Sequence, residues 1–186
     1  MTGASERPKR RLTSADLARL PEGRCRYELI DGELREYPWG DALHGMVGAR
    51  LGAAASVFVE ERNLGRTFLA GTGFWIREDP DTVLAPDWAF VPYHQRPGKP
   101  SNDFVRTVPA LVLEVQAQLE TRGEAAAKVG RWLAAGAPVV WDCDPSRKLV
   151  LVHRADKETV MLGVADTLDG GEILPEFALP LGAVFR

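Results

Sequence analysis

Glu114 is a carboxylate placed in one of the most apolar stretches of the chain. It lies in the run ALVLEV at residues 110–115, a pattern typical of a strand covered on both faces. An unpaired charge is costly to bury there, so such a glutamate is normally protonated, paired with a cation or bound to a metal ion. The alternative is an edge strand from which Glu114 points outward into water. Under the first interpretation, Glu114 is a candidate metal ligand.

Asp87 offers a second carboxylate, just before a short apolar run over residues 88–91. The chain between Asp87 and Glu114 is long enough for that strand, a loop and a return strand, so two neighbouring strands could bring both side chains together. Paired oxygen ligands at a sheet edge suit Mg²⁺ or Mn²⁺, with water completing the octahedron. Taken alone, Asp87 is also typical of a turn residue that precedes a strand.

Lys128 is a cation that could reach the same place from a helix. The helix is predicted from about residue 122 to 135, and Lys128 lies beside its apolar stripe, which consists of Ala125, Val129, Trp132 and Leu133. The ammonium group is expected either to extend into water or to meet a carboxylate. If the helix folds back onto the strand, it directs Lys128 at Glu114, where a lysine could orient an attacking water or stabilise developing negative charge.

These three residues need a sheet and a helix to bring them together, and the sequence predicts both. A helix begins at Thr13 or Ser14 and stops at Pro21, and a hairpin follows with its turn at Asp31-Gly32. The other predictions are a helix over about 41–63, strands at 66–70, 73–77, 86–91, 110–115, 139–141, 148–153 and 159–162, and a loop-rich tail over 174–185. This order indicates the α/β class, with a mixed sheet flanked by helices.

Length and composition limit the class of protein. The 186 residues, 45% hydrophobic and 26% charged, fit one globular domain over residues 12–186, with residues 1–11 as a flexible basic tail. The formal net charge of −3 provides no global positive field, so contact with nucleic acid would depend on a local basic patch. Cys25 and Cys143 form neither a metal-type spacing nor a disulfide framework, and no membrane-spanning run of about 20 apolar residues is recognised. We therefore expect a cytoplasmic protein without a membrane partner.

The same residues fall in motifs that resemble the Uma-two family of endonuclease domains, which belongs to the PD-(D/E)XK superfamily. The resemblance runs from about Leu12 to Phe185 and keeps the family's order and spacing. Its motifs are YELIDGE at 27–33, His44, PD at 86–87 with AFV at 89–91, LEV at 113–115, Lys128, LAAG at 133–136, VWD at 140–142 and DP at 144–145. The resemblance implies a restriction-endonuclease-like fold, nucleic acid as substrate and Mg²⁺ or Mn²⁺ as cofactor.

The resemblance also implies roles for particular residues. Asp87 and Glu114 would be metal ligands, joined by the backbone carbonyl of Val115, and Lys128 would be the catalytic lysine although it comes from a helix. The implied reaction is hydrolysis of a phosphodiester, with the metal polarising the phosphoryl oxygen and lowering the pKa of a bound water.

Three further positions are candidates around this centre. Glu28 matches an acidic position that would complete the site, although a residue in the first hairpin strand is equally typical of a solvent-facing one. His44 matches a recurrent histidine that would lie beside the metal site, and it is also typical of a residue at the core or its rim. Gln116 would lie beside the metal site too, in a loop over 116–120 that departs from the family's Ser-Pro-Ser type.

Two functions from different classes remain open. The first is a metal-dependent nuclease acting on nucleic acid, with DNA expected as the substrate. The second is a catalytically inactive protein that uses the nuclease fold for binding or assembly, which the acidic net charge and the altered loop favour. By analogy with nucleases of this fold we expect a homodimer. Carboxylates of Asp87 and Glu114 on opposite faces of the sheet would contradict the first function.

Overall fold

The structure is a computed structural model that describes residues 10–21, 25–95, 101 and 103–186. Most of the basic tail predicted over residues 1–11 lies outside the described residues. The helices are α1 (Ser14–Leu17), α2 (Ala42–Glu61), α3 (Arg122–Ala134) and α4 (Leu181–Val184). The strands are β1 (Cys25–Ile30), β2 (Glu33–Pro38), β3 (Gly65–Leu69), β4 (Phe74–Arg77), β5 (Thr82–Leu84), β6 (Trp88–Pro92), β7 (Leu111–Val115), β8 (Val139–Asp144), β9 (Leu149–Arg154), β10 (Lys157–Leu162), β11 (Thr167–Gly170) and β12 (Leu174–Pro180).

A six-stranded mixed sheet forms the centre, with the strand order β10-β9-β8-β7-β6-β3. Its neighbouring strands are antiparallel except for β7 and β8, which run parallel. A parallel pair needs a crossover connection, and α3 provides it. Thr121 and Glu124 form a capping box at the start of α3, and Gly136, with φ of 101°, follows its end.

The two faces of the central sheet pack against different helices. Odd-numbered residues of β7, such as Leu113 and Val115, share one buried cluster with α2 residues. Val112, an even-numbered residue of β7, shares a second cluster with Val129 and Trp132 of α3. Because successive side chains of a strand point to opposite faces, Glu114 lies on the α3 side.

A second, four-stranded sheet has the order β2-β1-β5-β4 and carries the predicted hairpin. Its turn residues Asp31 and Gly32 have φ of 54° and 78°, the left-handed conformation that the Asp-Gly signal predicts. β5 was not predicted from the sequence, because its three residues are too few for a period-two pattern to be recognised. All three are buried, so tertiary packing decides this strand.

The prediction of a loop-rich tail is wrong. Residues 167–184 form the antiparallel pair β11–β12 and the short helix α4. Gly and Pro residues made this segment resemble loop, but its apolar side chains are buried in the cluster shared with α2: Leu168, Leu174, Phe177, Leu181 and Val184. Packing therefore overrides the local turn signals.

Among the described helices, α2 is the one that is long and apolar enough to cross a membrane, judged by length and composition alone. The expectation that the chain has no apolar run of membrane-spanning length is therefore corrected for α2. The finding is weak evidence for a membrane, because the core helix of a soluble protein passes the same test. The buried face of α2 packs in the cluster that contains β7 residues, through Val47, Leu51, Ala55 and Val59.

Candidate metal centre

Asp87 and Glu114 lie on one face of the central sheet. Trp88 of β6 pairs with Leu113 of β7, and the backbone N–H of Asp87 donates to the carbonyl of Leu113 at 3.1 Å, so Asp87 is opposite Glu114. Residues that are opposite in an antiparallel pair share a face. Both side chains are buried. The two carboxylates therefore do not lie on opposite faces of the sheet, which is the arrangement that would contradict a shared site.

Asp87 is held as a carboxylate by two hydrogen-bond donors, and the imidazole of His44 lies close to it. Arg26 Nη1 lies 2.8 Å from its Oδ1, the backbone N–H of Val115 donates to its Oδ2 at 2.8 Å, and His44 Nε2 lies 3.3 Å from Oδ2. Burial acts to raise the pKa of Asp87, but the contact with His44 and the charge of Arg26 outweigh it and leave that pKa below its usual value. Asp87 is therefore ionised at neutral pH.

The pKa of Glu114 is shifted in the opposite direction from that of Asp87. Burial and the neighbouring charge of Asp87 raise the pKa of Glu114 to about 8. Trp132 Nε1 of α3 donates to its Oε1 at 2.7 Å, and Lys128 Nζ lies 4.0 Å from its Oε2. Without a bound cation, Glu114 is mainly protonated at pH 7, and a divalent ion beside it would shift it to the carboxylate form.

Lys128 reaches the centre from α3, as predicted from the sequence. The carboxylate closest to its ammonium group belongs to Glu120 and not to Glu114. Its Nζ lies 2.8 Å from Oε1 of Glu120 and 5.0 Å from the centre of the Tyr37 ring. Burial acts to lower the pKa of Lys128, but the charge of Glu114 and the contact with Glu120 raise it above its usual value. Glu120 was not predicted as a partner of Lys128, although its position just before the Thr121 cap of α3 was a signal.

Glu28 is buried, so the solvent-facing interpretation of this residue is wrong. Its Oε1 accepts from the backbone N–H of Ala85 at 3.0 Å, and its Oε2 has no hydrogen-bond partner among the described residues. Burial raises the pKa of Glu28, against the opposing charges of Lys128, Arg131 and Arg26. The structure thus brings Glu28 into the same charged cluster as the three central residues.

Arg26 is the second residue that sequence reasoning missed. It comes two positions before Glu28 on β1, so the two side chains share a face of that strand. Its side chain is largely buried, and its charge acts on Asp87, Glu114 and Glu28. A basic residue at this spacing from a candidate carboxylate was the available signal.

His44 and Gln116 occupy different positions beside the centre. His44 lies in the first turn of α2, where Asp41 caps the helix by accepting from the His44 N–H at 2.9 Å. Gln116 turns away toward the neighbouring strand, where its Nε2 donates to Oδ1 of the buried Asp142 at 2.8 Å. The same Asp41 accepts from the N–H of Gln118 at 3.3 Å, which ties the altered loop to α2.

The donor set fits a hard, hydrated cation. Within the described ranges, no group of three or more His, Cys, Asp or Glu side chains is arranged to hold a metal ion by itself. Mg²⁺ does not require such a cage, since it is commonly bound through one or two carboxylates and completes its shell with water. Asp87 and Glu114 would supply those oxygens, and Oε2 of Glu28, which has no hydrogen-bond partner among the described residues, would be a further acceptor. The position of the Val115 carbonyl as a ligand stays a prediction.

The fold and this cluster define a class of protein. A crystal structure described as a "putative nuclease belonging to DUF820", from Anabaena variabilis, matches the chain with a TM-score of 0.79. The match covers 94% of this chain and 97% of that one at 18% sequence identity, a level at which the likeness shows the fold alone. The α/β prediction, with a mixed sheet flanked by helices in a nuclease-like fold, is confirmed.

The family follows from the sequence comparison. The profile of the Uma2 family, described as "Putative restriction endonuclease", matches residues 14–182. The chain therefore belongs to this family, and the resemblance to the Uma-two domains is confirmed. A search of curated proteins returned no significant match.

Proposed function

We propose that this protein is a Mg²⁺- or Mn²⁺-dependent endonuclease that hydrolyses phosphodiester bonds in DNA. The observation that carries the proposal is the meeting of Asp87, Glu114 and Lys128 on one face of the central sheet, where all three are buried. Membership of a restriction-endonuclease-like family supports nucleic acid as the substrate. A buried charged cluster of this kind is more typical of a functional site than of a structural one.

The residues would divide the work as follows. Asp87, Glu114 and the carbonyl of Val115 would hold the metal, which supplies polarisation of the phosphoryl group and a lower pKa of the attacking water. Lys128 would orient that water or stabilise the negative charge that develops on the phosphate. Glu120 would keep the Lys128 ammonium in place through their 2.8 Å contact. Glu28 would add a proton acceptor at the edge of the cluster.

The second candidate is a nuclease fold without activity that serves binding or assembly. Its support is the internal neutralisation of the centre, in which Arg26 already pairs with Asp87 and Lys128 with Glu120. The loop over 116–120 also lacks the hydroxyl groups of the family's Ser-Pro-Ser type loop. Under this alternative the cations would hold the fold together and no metal would bind.

Metal titration and cleavage assays separate the two candidates. We expect wild-type protein to bind Mn²⁺ in calorimetry and to cleave at least one of single-stranded DNA, duplex DNA and RNA. Asp87→Asn and Lys128→Met should each lower the rate by about 100-fold or more, because each removes a group that acts on the transition state. Only Asp87→Asn should also weaken the binding of the metal ion.

The control is Asp169→Asn, which removes an exposed carboxylate outside the centre, and thermal melting should show that every variant is folded. Cleavage that survives in Asp87→Asn would point to a contaminating nuclease. If wild-type protein neither binds Mn²⁺ nor cleaves any of the three substrates, the inactive binding protein is the better description.

We also propose that the protein works as a homodimer in the cytoplasm. The dimer rests on analogy with nucleases of this fold. The compartment rests on the two free cysteines, which suit a reducing environment.

A further inference from the structure

An open cavity of about 360 Å³ adjoins the candidate metal centre. Asp87 and Arg26 line it on the side of the centre, and His44 lines it from α2. Its volume is near the lower end of the range for small-ligand sites, about 300–1,000 Å³, so it has room for a ligand the size of one nucleotide. Whatever occupies this cavity lies directly beside Asp87.

Two exposed apolar side chains, Trp39 and Leu69, line the same cavity. Trp39 follows β2 and is 59% exposed, and Leu69 ends β3 and is 67% exposed. A single exposed apolar residue is ordinary, but two that share one concave site beside a charged centre indicate a ligand with an apolar surface. An indole ring in this position offers a flat face for stacking.

Two glycines leave space on the α2 side of the cavity, next to the side chains of His44 and Ala49. Gly45 and Gly48 line it there, and a Cβ atom added at Gly45 would meet no atom within 4 Å. The two glycines therefore leave space for a planar group in the cavity that Trp39 also lines. The cavity thus combines an aromatic ring, space beside two glycines and the polar groups of the centre.

The geometry points to a binding site for an unpaired nucleotide, with its base stacked on Trp39 and its phosphate directed at the metal centre. This inference rests on the proposed nuclease function and names the substrate class of that site. In a duplex, both faces of a base are covered by its neighbours, so only a single strand or an extruded nucleotide exposes a face to the indole. Arg26 and His44 would supply N–H donors to the phosphate.

The test compares the binding of fluorescent oligonucleotides by anisotropy, with Ca²⁺ in place of Mg²⁺ so that binding is measured without turnover. Wild-type protein should bind a single strand at least tenfold more tightly than the duplex of the same sequence. Trp39→Ala should weaken single-strand binding by about tenfold or more, whereas Trp39→Phe, which keeps a ring, should retain most of the affinity. A strand with abasic positions should bind wild type and Trp39→Ala alike.

The matched control is Met161→Ala, which removes an apolar side chain that is 62% exposed on β10, at the opposite edge of the sheet from β3. An equal loss of affinity in this control, no loss in Trp39→Ala, or equal affinity for duplex and single strand would overturn the inference. If wild type cleaves nucleic acid and Trp39→Ala binds and cleaves it to the same extent, the inference fails and the nuclease function stands. If wild type binds neither metal nor nucleic acid, the proposed function itself fails and the inference falls with it.

Discussion

At the scale of single residues, the centre balances buried carboxylates against buried cations. Arg26 pairs with Asp87, and Lys128 pairs with Glu120 and lies 4.0 Å from Glu114. Such pairing is required, because an uncompensated charge in this setting would cost several kcal/mol. The balance is incomplete at Glu114, whose pKa of about 8 means that one carboxyl group lacks a sufficient positive partner. A divalent cation would correct that deficit.

The lack of sufficient positive charge beside Glu114 predicts that metal binding releases a proton. Below its pKa of about 8, Glu114 carries a proton that must leave before it can ligate a cation, so each bound Mn²⁺ should release about one proton at pH 7. The apparent affinity should therefore rise as the pH rises and should level off above about pH 8. Calorimetry in two buffers that differ in ionisation enthalpy measures the number of protons released.

Two comparisons complete this experiment. Glu114→Gln should bind metal more weakly and release no proton, because the amide does not titrate. Asp87→Asn should also bind weakly, but the lower charge beside Glu114 should reduce the pKa of Glu114 and so the proton release that remains. Affinity that is independent of pH between about pH 6 and 8 would contradict the assignment of Glu114 as a ligand.

At the scale of elements, α3 does two tasks, since it connects the parallel strands β7 and β8 and carries Lys128. The N-cap residue of α3 is Thr121, and it directly follows Glu120, the carboxylate that contacts Lys128. The mutual hydrogen bonds of Thr121 and Glu124, at 2.7 to 3.2 Å, fix the first turn of the helix. The cap therefore determines the positions of both Glu120 and Lys128.

We predict that Thr121→Ala lowers the free energy of unfolding by about 0.5–2 kcal/mol and also lowers kcat, because the first turn of α3 loosens around Glu120. The matched control is Thr13→Ala, which removes the equivalent capping box of α1 with Asp16. That variant should lose stability to a similar degree and keep its kcat. Urea unfolding and steady-state cleavage measure the two effects, and a loss of kcat in both variants would show that stability alone is responsible.

The elements also show which sequence signals are sufficient. The hairpin at Asp31-Gly32, the long helix α2 and the capped helix α3 follow from local periodicity and end signals, and the structure has all of them. β5 and the β11–β12 pair were missed, because three residues or a run broken by Gly and Pro carry too little local pattern. β8 also extends to Asp144, beyond the apolar residues that predicted it.

At the scale of the whole molecule, the sheet order places the centre where β6 and β7 adjoin. Asp87 precedes β6, Glu114 lies in β7, and α3 returns over the same face. The β1–β2 hairpin adds Arg26, Glu28 and Tyr37 from the second sheet. The centre thus lies between two sheets and α3, with His44 of α2 beside it.

A homodimer is the prediction that belongs to this scale. Closed two-fold assemblies are the commonest oligomers, and nucleases of this fold commonly act as dimers. Light scattering after size exclusion should therefore give about twice the chain mass of 20.4 kDa. The measurement is repeated with Mg²⁺ and with EDTA as the matched condition. A mass of one chain at micromolar concentration in both conditions would contradict the dimer.

The sequence by itself determined which charged residues lie in apolar surroundings, because the cost of burying a charge depends on the neighbouring residues. Glu114 in an apolar strand and Lys128 beside an apolar helical stripe were recognisable for that reason, as was the family. Only the tertiary structure decided the partners of these residues. Arg26 meets Asp87 across 61 positions of the chain, and Glu28 is adjoined by Ala85, which follows β5, and by charged residues of α3. Such contacts depend on how distant segments pack, and no local pattern encodes them.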